Sequence, residues 1–421
     1  MPKLTILLAQ IAVILLAARA VGWLFRRIGQ PQVIGEMVAG ILLGPSVLGW
    51  LVPKVSAALF APVSLGFLNS LSQVGLLLFM FLVGLEFNPR VLRQQKHAAV
   101  VTSHVSIIVP FLMGTLLALY LYPKLSDNSI TFTNFALFVG TAMSITAFPV
   151  LARILTERNL IHTEVGTIAI ACAAIDDVTA WCILAGVVML ARASSAAAPL
   201  WLTLIGTGSY ILLMWLVIRR VLQRLEKSYR ARAVVTHGLM GMILLFVIAS
   251  AWVTERLGIH ALFGAFLVGV IMPKDKEFVR AIKDRLEGLT VVLLLPLYFA
   301  LTGLRTSIGL LSGVDMWLYC GLIILAAVAG KFGGAALSAR LSGLPWREAT
   351  AIGLLMNTRG LMELVVLNIG LDIGVISPAL FTMMVVMAMV TTFMTTPLLA
   401  LVYPEQRRWY QLTANRTAKA A

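Results

Sequence analysis

The chain has 421 residues, 60% of them hydrophobic and 12% charged, with a mean hydropathy of +0.95. A soluble domain carries about 25% charged residues, so half that proportion over this length means an all-α polytopic membrane protein. The net charge of +15 would suit a nucleic-acid partner, but the basic residues sit in short loops between apolar runs, which makes them topological signals and excludes nucleic acid.

In chain order, Leu4 to Phe25 is apolar, and Ala18-Arg19-Ala20 weakly resembles a signal-peptidase site. Lys3 is the one charge ahead of it, a poor n-region, so the segment is read as a permanent first helix. Hydropathy predicts thirteen helices at 4–27, 31–51, 63–87, 97–122, 130–156, 163–192, 200–224, 232–257, 260–273, 287–305, 314–340, 347–370 and 377–403. One set of loops carries Arg26 and Arg27; Arg90, Arg93 and Lys96; Arg158; six basic residues from Arg219 to Arg232; five from Lys274 to Arg285; and Arg340 with Arg347. The opposite set carries about one each, such as Lys54, Lys124 and Arg192. The positive-inside rule then puts the N-terminus outside and the C-terminus in the cytoplasm. The short basic tail, 404–421, is expected to be cytoplasmic.

An internal repeat joins the two halves. FRRIGQPQVIGEMVAGILLG (25–44) parallels TERLGIHALFGAFLVGVIMP (254–273), aligning Gly29, Gly35 and Gly40 with Gly258, Gly264 and Gly269 at one constant offset. LFMFLVGLEFNP (78–89) parallels LYFALTGLRT (297–306), placing Gly84 beside Gly303. Two six-helix halves, about 4–192 and 232–403, joined by a linker helix at 200–224, lie in opposite orientations. That is the inverted-repeat plan of secondary transporters, whose ions bind where helices are broken near the midplane.

Two stretches are expected to be those discontinuous crossing helices. Ser144-Ile145-Thr146-Ala147-Phe148-Pro149 sets hydroxyls before a proline that frees carbonyls. In the second half, Pro296 precedes Thr302 and Gly303.

Between them runs Glu164 to Ala191, with Asp176 and Asp177 near its middle. An acid at that depth costs at least about 2.5–3.5 kcal/mol, so the pair needs a partner, a wet cavity or a bound ion. Lys331, mid-helix among glycines in AVAGKFGGAAL, is the natural counter-ion; the alternative is a lysine snorkelling to the interface. Arg359 and Glu363 are four apart and form a supporting ion pair on one helix face. Glu36 and Glu86 are read as solvated helix ends. Cys172, Cys182 and Cys320 all lie in apolar spans and fit neither a disulfide framework nor a zinc site. No cofactor, resident metal or enzymatic activity is expected.

SITAFPVLARILTERNL (144–160), AAIDDVTAW (173–181), HALFGAFLVGVIMP (260–273), LLPLYFALTGLRT (294–306) and MNTRGLMELVVLNIG (356–370) closely resemble the monovalent cation:proton antiporter-2 family. They look most like its plant cation/proton exchangers and their bacterial relatives. The resemblance implies a thirteen-helix fold, a six-helix core sliding against a dimerisation domain, and a homodimer. It points to Asp177 as the carboxylate that exchanges protons for cations, and maps the family's lysine to Lys331. The plant group usually has Asn-Asp where this chain has Asp176-Asp177; the Asp-Asp pair resembles bacterial electrogenic sodium/proton exchangers.

The expected activity is exchange of Na+ or K+ for protons by alternating access, with Asp177 holding one or the other and Asp176, Thr146 and Ser144 beside it. If both carboxylates lose protons for one cation the exchange is electrogenic, and if only Asp177 does it is electroneutral. A sodium-coupled organic-solute symporter is the main rival. An intramembrane aspartyl protease would need its carboxylates on two facing helices, and a channel would need a repeated pore loop. The expected location is a bacterial inner membrane, in contact with lipid.

Overall fold

In lipid every backbone polar group must find its partner within the chain, which apolar runs of this length achieve as helices. All regular structure among the described residues is helical. The computed structural model describes residues 3–86, 97–126, 130–158, 160, 163–193, 200–232 and 234–403. Arg90, Arg93, Lys96 and the predicted tail lie outside them.

The first half comprises α1 (Lys3–Arg27), α2 (Gln32–Leu43), α3 (Pro62–Glu86), α4 (His97–Leu125), the half-helices α5 (Phe132–Ser144) and α6 (Phe148–Glu157), and α7 (Glu164–Ala193). A long helix, α8, follows as Leu200–Leu213, a π turn Met214–Ile218 and Arg219–Arg232. The second half has α9 (His237–Arg256), α10 (Ala261–Ile271), α11 (Lys276–Leu289, a π turn Thr290–Leu294, then Leu295–Arg305) and α12 (Val314–Val328, a π turn Ala329–Gly333, then Gly334–Leu341). It ends with the half-helices α13 (Trp346–Met356) and α14 (Leu361–Asp372), then α15 (Pro378–Val402). Among the described residues eleven spans are long and apolar enough to cross a membrane, with Gln32–Leu51 and Phe132–Thr156 counted as one each; the bent α13–α14 pair is a twelfth, and α10 is a shorter apolar helix.

Four boundaries move by five residues or more: the second helix ends at Leu43, not 51, the helix predicted from 232 starts at His237, and the other two shifts are larger in consequence. The linker continues helically to Arg232 rather than stopping at 224, and there Glu226 pairs with Arg230 one turn on at 2.6 Å. Helix α11 starts at Lys276, not 287. Asp275 caps it by accepting from the Phe278 N–H at 3.0 Å, and Phe278, Ile282 and Leu286 bury one stripe.

The repeat reappears as packing. Gly29 and Gly258 both adopt left-handed backbone, with φ of 72° and 83°, which glycine enters without a side-chain clash. A Cβ on Gly40 in α2 would lie 2.1 Å from the Ala300 carbonyl in α11, and one on Gly303 would lie 2.4 Å from the Met37 carbonyl in α2. The symmetry-related contact puts a Gly269 Cβ in α10 2.3 Å from Phe81 O in α3, and a Gly84 Cβ 2.3 Å from Phe266 O in α10. Each half thus packs its second helix against the third helix of the other half.

The second-half break is not where the proline predicts it. Thr302 and Gly303 lie in unbroken helix, Leu295–Arg305. Pro296 follows the π turn, and the carbonyl four residues before it, Val292 O, accepts from Arg19 Nη2 at 3.2 Å. A wider turn and an outside donor absorb the proline. The interruption falls at Asn357–Gly360, where α13 and α14 bend by 40°.

Candidate functional site

The two interruptions cross and bond each other. Helix α5 ends at Ser144, Ile145 and Ala147 are extended, and α6 begins at Phe148. The Ala147 N–H donates to Thr358 O at 3.0 Å, and Thr146 Oγ1 lies 3.1 Å from Met356 O at the end of α13. Interrupted helices expose carbonyl ends of negative potential and amide ends of positive potential. Arg359 meets the carbonyl end of α5, donating from Nη1 to Ala142 O at 3.1 Å and from Nη2 to Met143 O at 2.8 Å. Its Nη1 also pairs with Glu363 Oε2 at 3.0 Å in the first turn of α14. Arg359 lies in the break rather than on the helix face read from its spacing; Thr392 of α15 holds that backbone, accepting from Arg359 N at 2.8 Å and donating to Arg359 O at 2.6 Å.

Lys331 sits in the π turn of α12 and reaches the same junction. Its Nζ donates to Ser144 O at 2.5 Å, Ser106 O at 2.9 Å and Asp176 Oδ2 at 2.8 Å. It is fully buried, so it does not snorkel. Gly330 permits the approach, since a Cβ there would lie 2.9 Å from Pro110 Cα in α4.

The neighbouring aspartates differ sharply. Asp176 accepts from Ser103 Oγ at 2.7 Å, Thr146 Oγ1 at 2.8 Å and Lys331, with Ser106 Oγ 3.1 Å from its Oδ2. Asp177 is also buried, yet its Oδ1 has no hydrogen-bond partner in the protein. Its carboxyl group lies near the Phe148 backbone at the amide end of α6. Adjacent residues on a helix point about 100° apart, which sends the first carboxylate into the α4–α12 network and the second toward the α6 terminus. Among the described residues no three His, Cys, Asp or Glu side chains gather as a metal site; the oxygens at hand are carboxylate, hydroxyl and carbonyl.

The sodium/hydrogen exchanger transmembrane family profile matches residues 12–401. The chain belongs to the sodium/hydrogen exchanger family. It is 45% identical over 404 residues to the Na(+)/H(+) antiporter NhaS4 of Synechocystis, covering 95% of this chain and 98% of that one. It is 41% identical to cation/H(+) antiporter 17 of Arabidopsis thaliana, covering 95% of this chain and 48% of the relative. The K(+)/H(+) antiporter 1 of Saccharomyces cerevisiae is 36% identical, with 96% and 46% covered. The chain thus spans nearly all of the cyanobacterial relative and about half of the plant and yeast ones. The sodium proton antiporter MjNhaP1 of Methanocaldococcus jannaschii shares the fold, with a TM-score of 0.65 at 16% identity over 96% of this chain and 98% of that one.

In this exchanger fold Asp176, Thr146, Ser144 and Lys331 form one cluster, with Asp177 at its edge and Arg359–Glu363 behind it. Ser144 contributes its carbonyl, because its hydroxyl donates to Thr141 O at 2.7 Å. Thr302 and Gly303 stand apart from the crossing. Thr302 Oγ1 accepts from Asn368 Nδ2 at 2.9 Å, inside a contact between α11 and α14. There Asn368 also meets Tyr298 Oη at 3.2 Å, and Arg305 Nη1 bridges Asn368 Oδ1 at 3.0 Å and Asp372 at 2.9 Å. Glu36 is no solvated end either: it is buried and accepts from Gln32 at 2.7 Å. Ser103 and Ser106 escaped the sequence reading, although their three-residue spacing on an apolar helix was a signal that both face inward.

Proposed function

We propose that this protein is a secondary active antiporter exchanging a monovalent cation, Na+ or K+, for protons by alternating access, with Asp177 as the shared site. The observation that carries this reading is the contrast within the pair: Asp176 is saturated by a lysine and hydroxyl donors, whereas Asp177 Oδ1 is buried without a protein partner. A buried carboxylate oxygen without a donor is costly, and either a proton or a cation relieves that cost. One carboxylate cannot hold both well, so competition couples the two fluxes without a separate device.

Lys331 and Asp176 neutralise each other and fix the broken ends of α5 beside the exchanging group. Thr146 Oγ1 and the carbonyls at the crossing supply neutral oxygens of the kind a small cation takes up on shedding water. The exchanger halves, 4–192 and 232–403 with their linker, work as a homodimer in a bacterial inner membrane, N-terminus outside and C-terminus inside. The basic ends of α8 and α11 support this orientation. The names of the relatives support both Na+ and K+ as cargo and give the organic-solute symporter no support.

Proton flux in proteoliposomes tests the reading, with Na+ and K+ added separately. One cation should collapse an imposed pH gradient, and Asp177→Asn should abolish the response. Exchange at the parent rate by that variant would sink the assignment of Asp177.

A further inference from the structure

Two buried asparagines lie on the bent α13–α14 segment and are treated in opposite ways. Asn368 is satisfied: its Oδ1 accepts from Arg305, and its Nδ2 has Thr302 Oγ1 and Leu364 O at 2.9 Å and Tyr298 Oη at 3.2 Å. Asn357 is fully buried, and neither its Oδ1 nor its Nδ2 meets a protein partner. Buried side-chain amides are nearly always hydrogen-bonded, and leaving one bare costs about 1–3 kcal/mol per group.

A structural duty does not account for this residue. Asparagine often ends a helix because it tolerates left-handed backbone, but Asn357 has φ of −80° and ψ of 2°, open to any residue. Its backbone N–H already closes α13 on Gly353 O at 3.1 Å. Its place in the chain is the crossing itself. Met356 O before it faces Thr146 Oγ1, and Thr358 O after it accepts from Ala147 N. Thr146 in turn donates to Asp176 at 2.8 Å.

Resting on the antiporter reading above, we infer that Asn357 is a ligand for the transported cation, its amide oxygen completing the shell begun at Asp177. The chemistry separates the two side chains. A carboxylate binds a proton or a cation, whereas a neutral amide takes no proton near pH 7 and offers a hard oxygen to the cation alone. Asn357 therefore biases the competition at Asp177 toward the cation.

The test is cation-driven proton exchange in proteoliposomes across a pH series, for the parent, Asn357→Ala and Asn357→Asp. Loss of one oxygen ligand should raise the cation KM of Asn357→Ala about tenfold, by the same factor at every pH and with turnover little changed. Asn357→Asp adds a second titrating group, so its cation KM should depend more steeply on pH than the parent's. Parent KM in Asn357→Ala at all pH values would overturn the assignment, as would lost turnover with KM unmoved. Anomalous diffraction from the parent protein with Tl+ in place of the cation decides the case without any variant. A peak within bonding distance of Oδ1 supports the ligand, and a peak at Asp177 out of reach of Asn357 overturns it. A parent that exchanges neither Na+ nor K+ overturns the antiporter reading instead.

Discussion

Asp176 and Asp177 are neighbours in sequence with opposite surroundings, the first saturated by donors and the second with a bare oxygen. Removing one partner of a buried ion pair strands the other charge and costs about 3–5 kcal/mol. Lys331→Ala strands Asp176 in this way, and thermal unfolding in detergent should show a lower Tm; a parent-like Tm would mean that the pair is not load-sharing. Asp177→Asn removes no protein hydrogen bond from Oδ1, so its Tm should stay near the parent's while exchange is lost. Stability and transport should therefore separate between two adjacent residues. Both aspartates and Lys331 were legible in the sequence because a charge in an apolar run is too costly to be incidental. Asn357, Ser103 and Ser106 were not, because neutral polar side chains are tolerated in membrane helices and carry no such signal until their partners are seen.

The interrupted helices show how local rules and tertiary contacts divide the control of structure. The first break was legible, since Pro149 and two hydroxyl residues mark it. The second was misplaced because a proline punctuates a helix only when nothing absorbs it, and here Arg19 and a π turn do so. Asn357–Gly360 contains no proline; it is held open by Arg359 reaching across to the carbonyl end of α5. Arg359→Ala should therefore leave Glu363 buried and unpaired and uncap α5, lowering stability by about 3–5 kcal/mol. Arg359→Lys should recover only part of this, since a point-like ammonium cannot reproduce a fork that serves two carbonyls and a carboxylate. Thermal unfolding of the parent and the two variants compares the claims, and a parent-like Tm for Arg359→Lys would refute the forked role. On the far side of the break, α14 is tied to α11 through Asn368, Arg305 and Asp372. A transport motion that slides α14 past α11 would have to open that tie. The Arg305–Asp372 pair is partly exposed and so worth under about 1 kcal/mol, while Asn368 is buried with its donors and acceptor used. With the three native cysteines replaced, Asn368→Ala should speed labelling of a cysteine placed at Thr302 by a membrane-impermeant thiol reagent more than Arg305→Ala does. Equal labelling in parent and variants would show that this contact does not limit opening.

At the scale of the molecule the halves are intertwined, α2 against α11 and α10 against α3, and the two crossings are finished differently. At the first, Ser46 Oγ donates to Thr306 O at 3.1 Å and accepts from Ile308 N at 3.0 Å, a neutral join. At the second, Lys274 Nζ gathers Gly84 O at 2.8 Å, Leu85 O at 2.9 Å and Gly269 O at 2.8 Å. The glycine register made the repeat legible, but this asymmetry was not, because Lys274 reads in sequence as one more basic loop residue. Burial lowers its pKa from the usual 10.5 to about 8, so the sequence-symmetric protein has one titrating joint. A folded pKa below the unfolded one means that, between about pH 8 and 10.5, the unfolded chain holds a proton the folded chain has released. Stability from this group therefore rises with pH through that window and is constant below it. The Tm of the parent minus that of Lys274→Met should accordingly grow as pH climbs from 8 to 10. A difference that stays flat would mean that the three carbonyls hold the ammonium charged throughout, and the joint would then be a fixed clamp on the crossing.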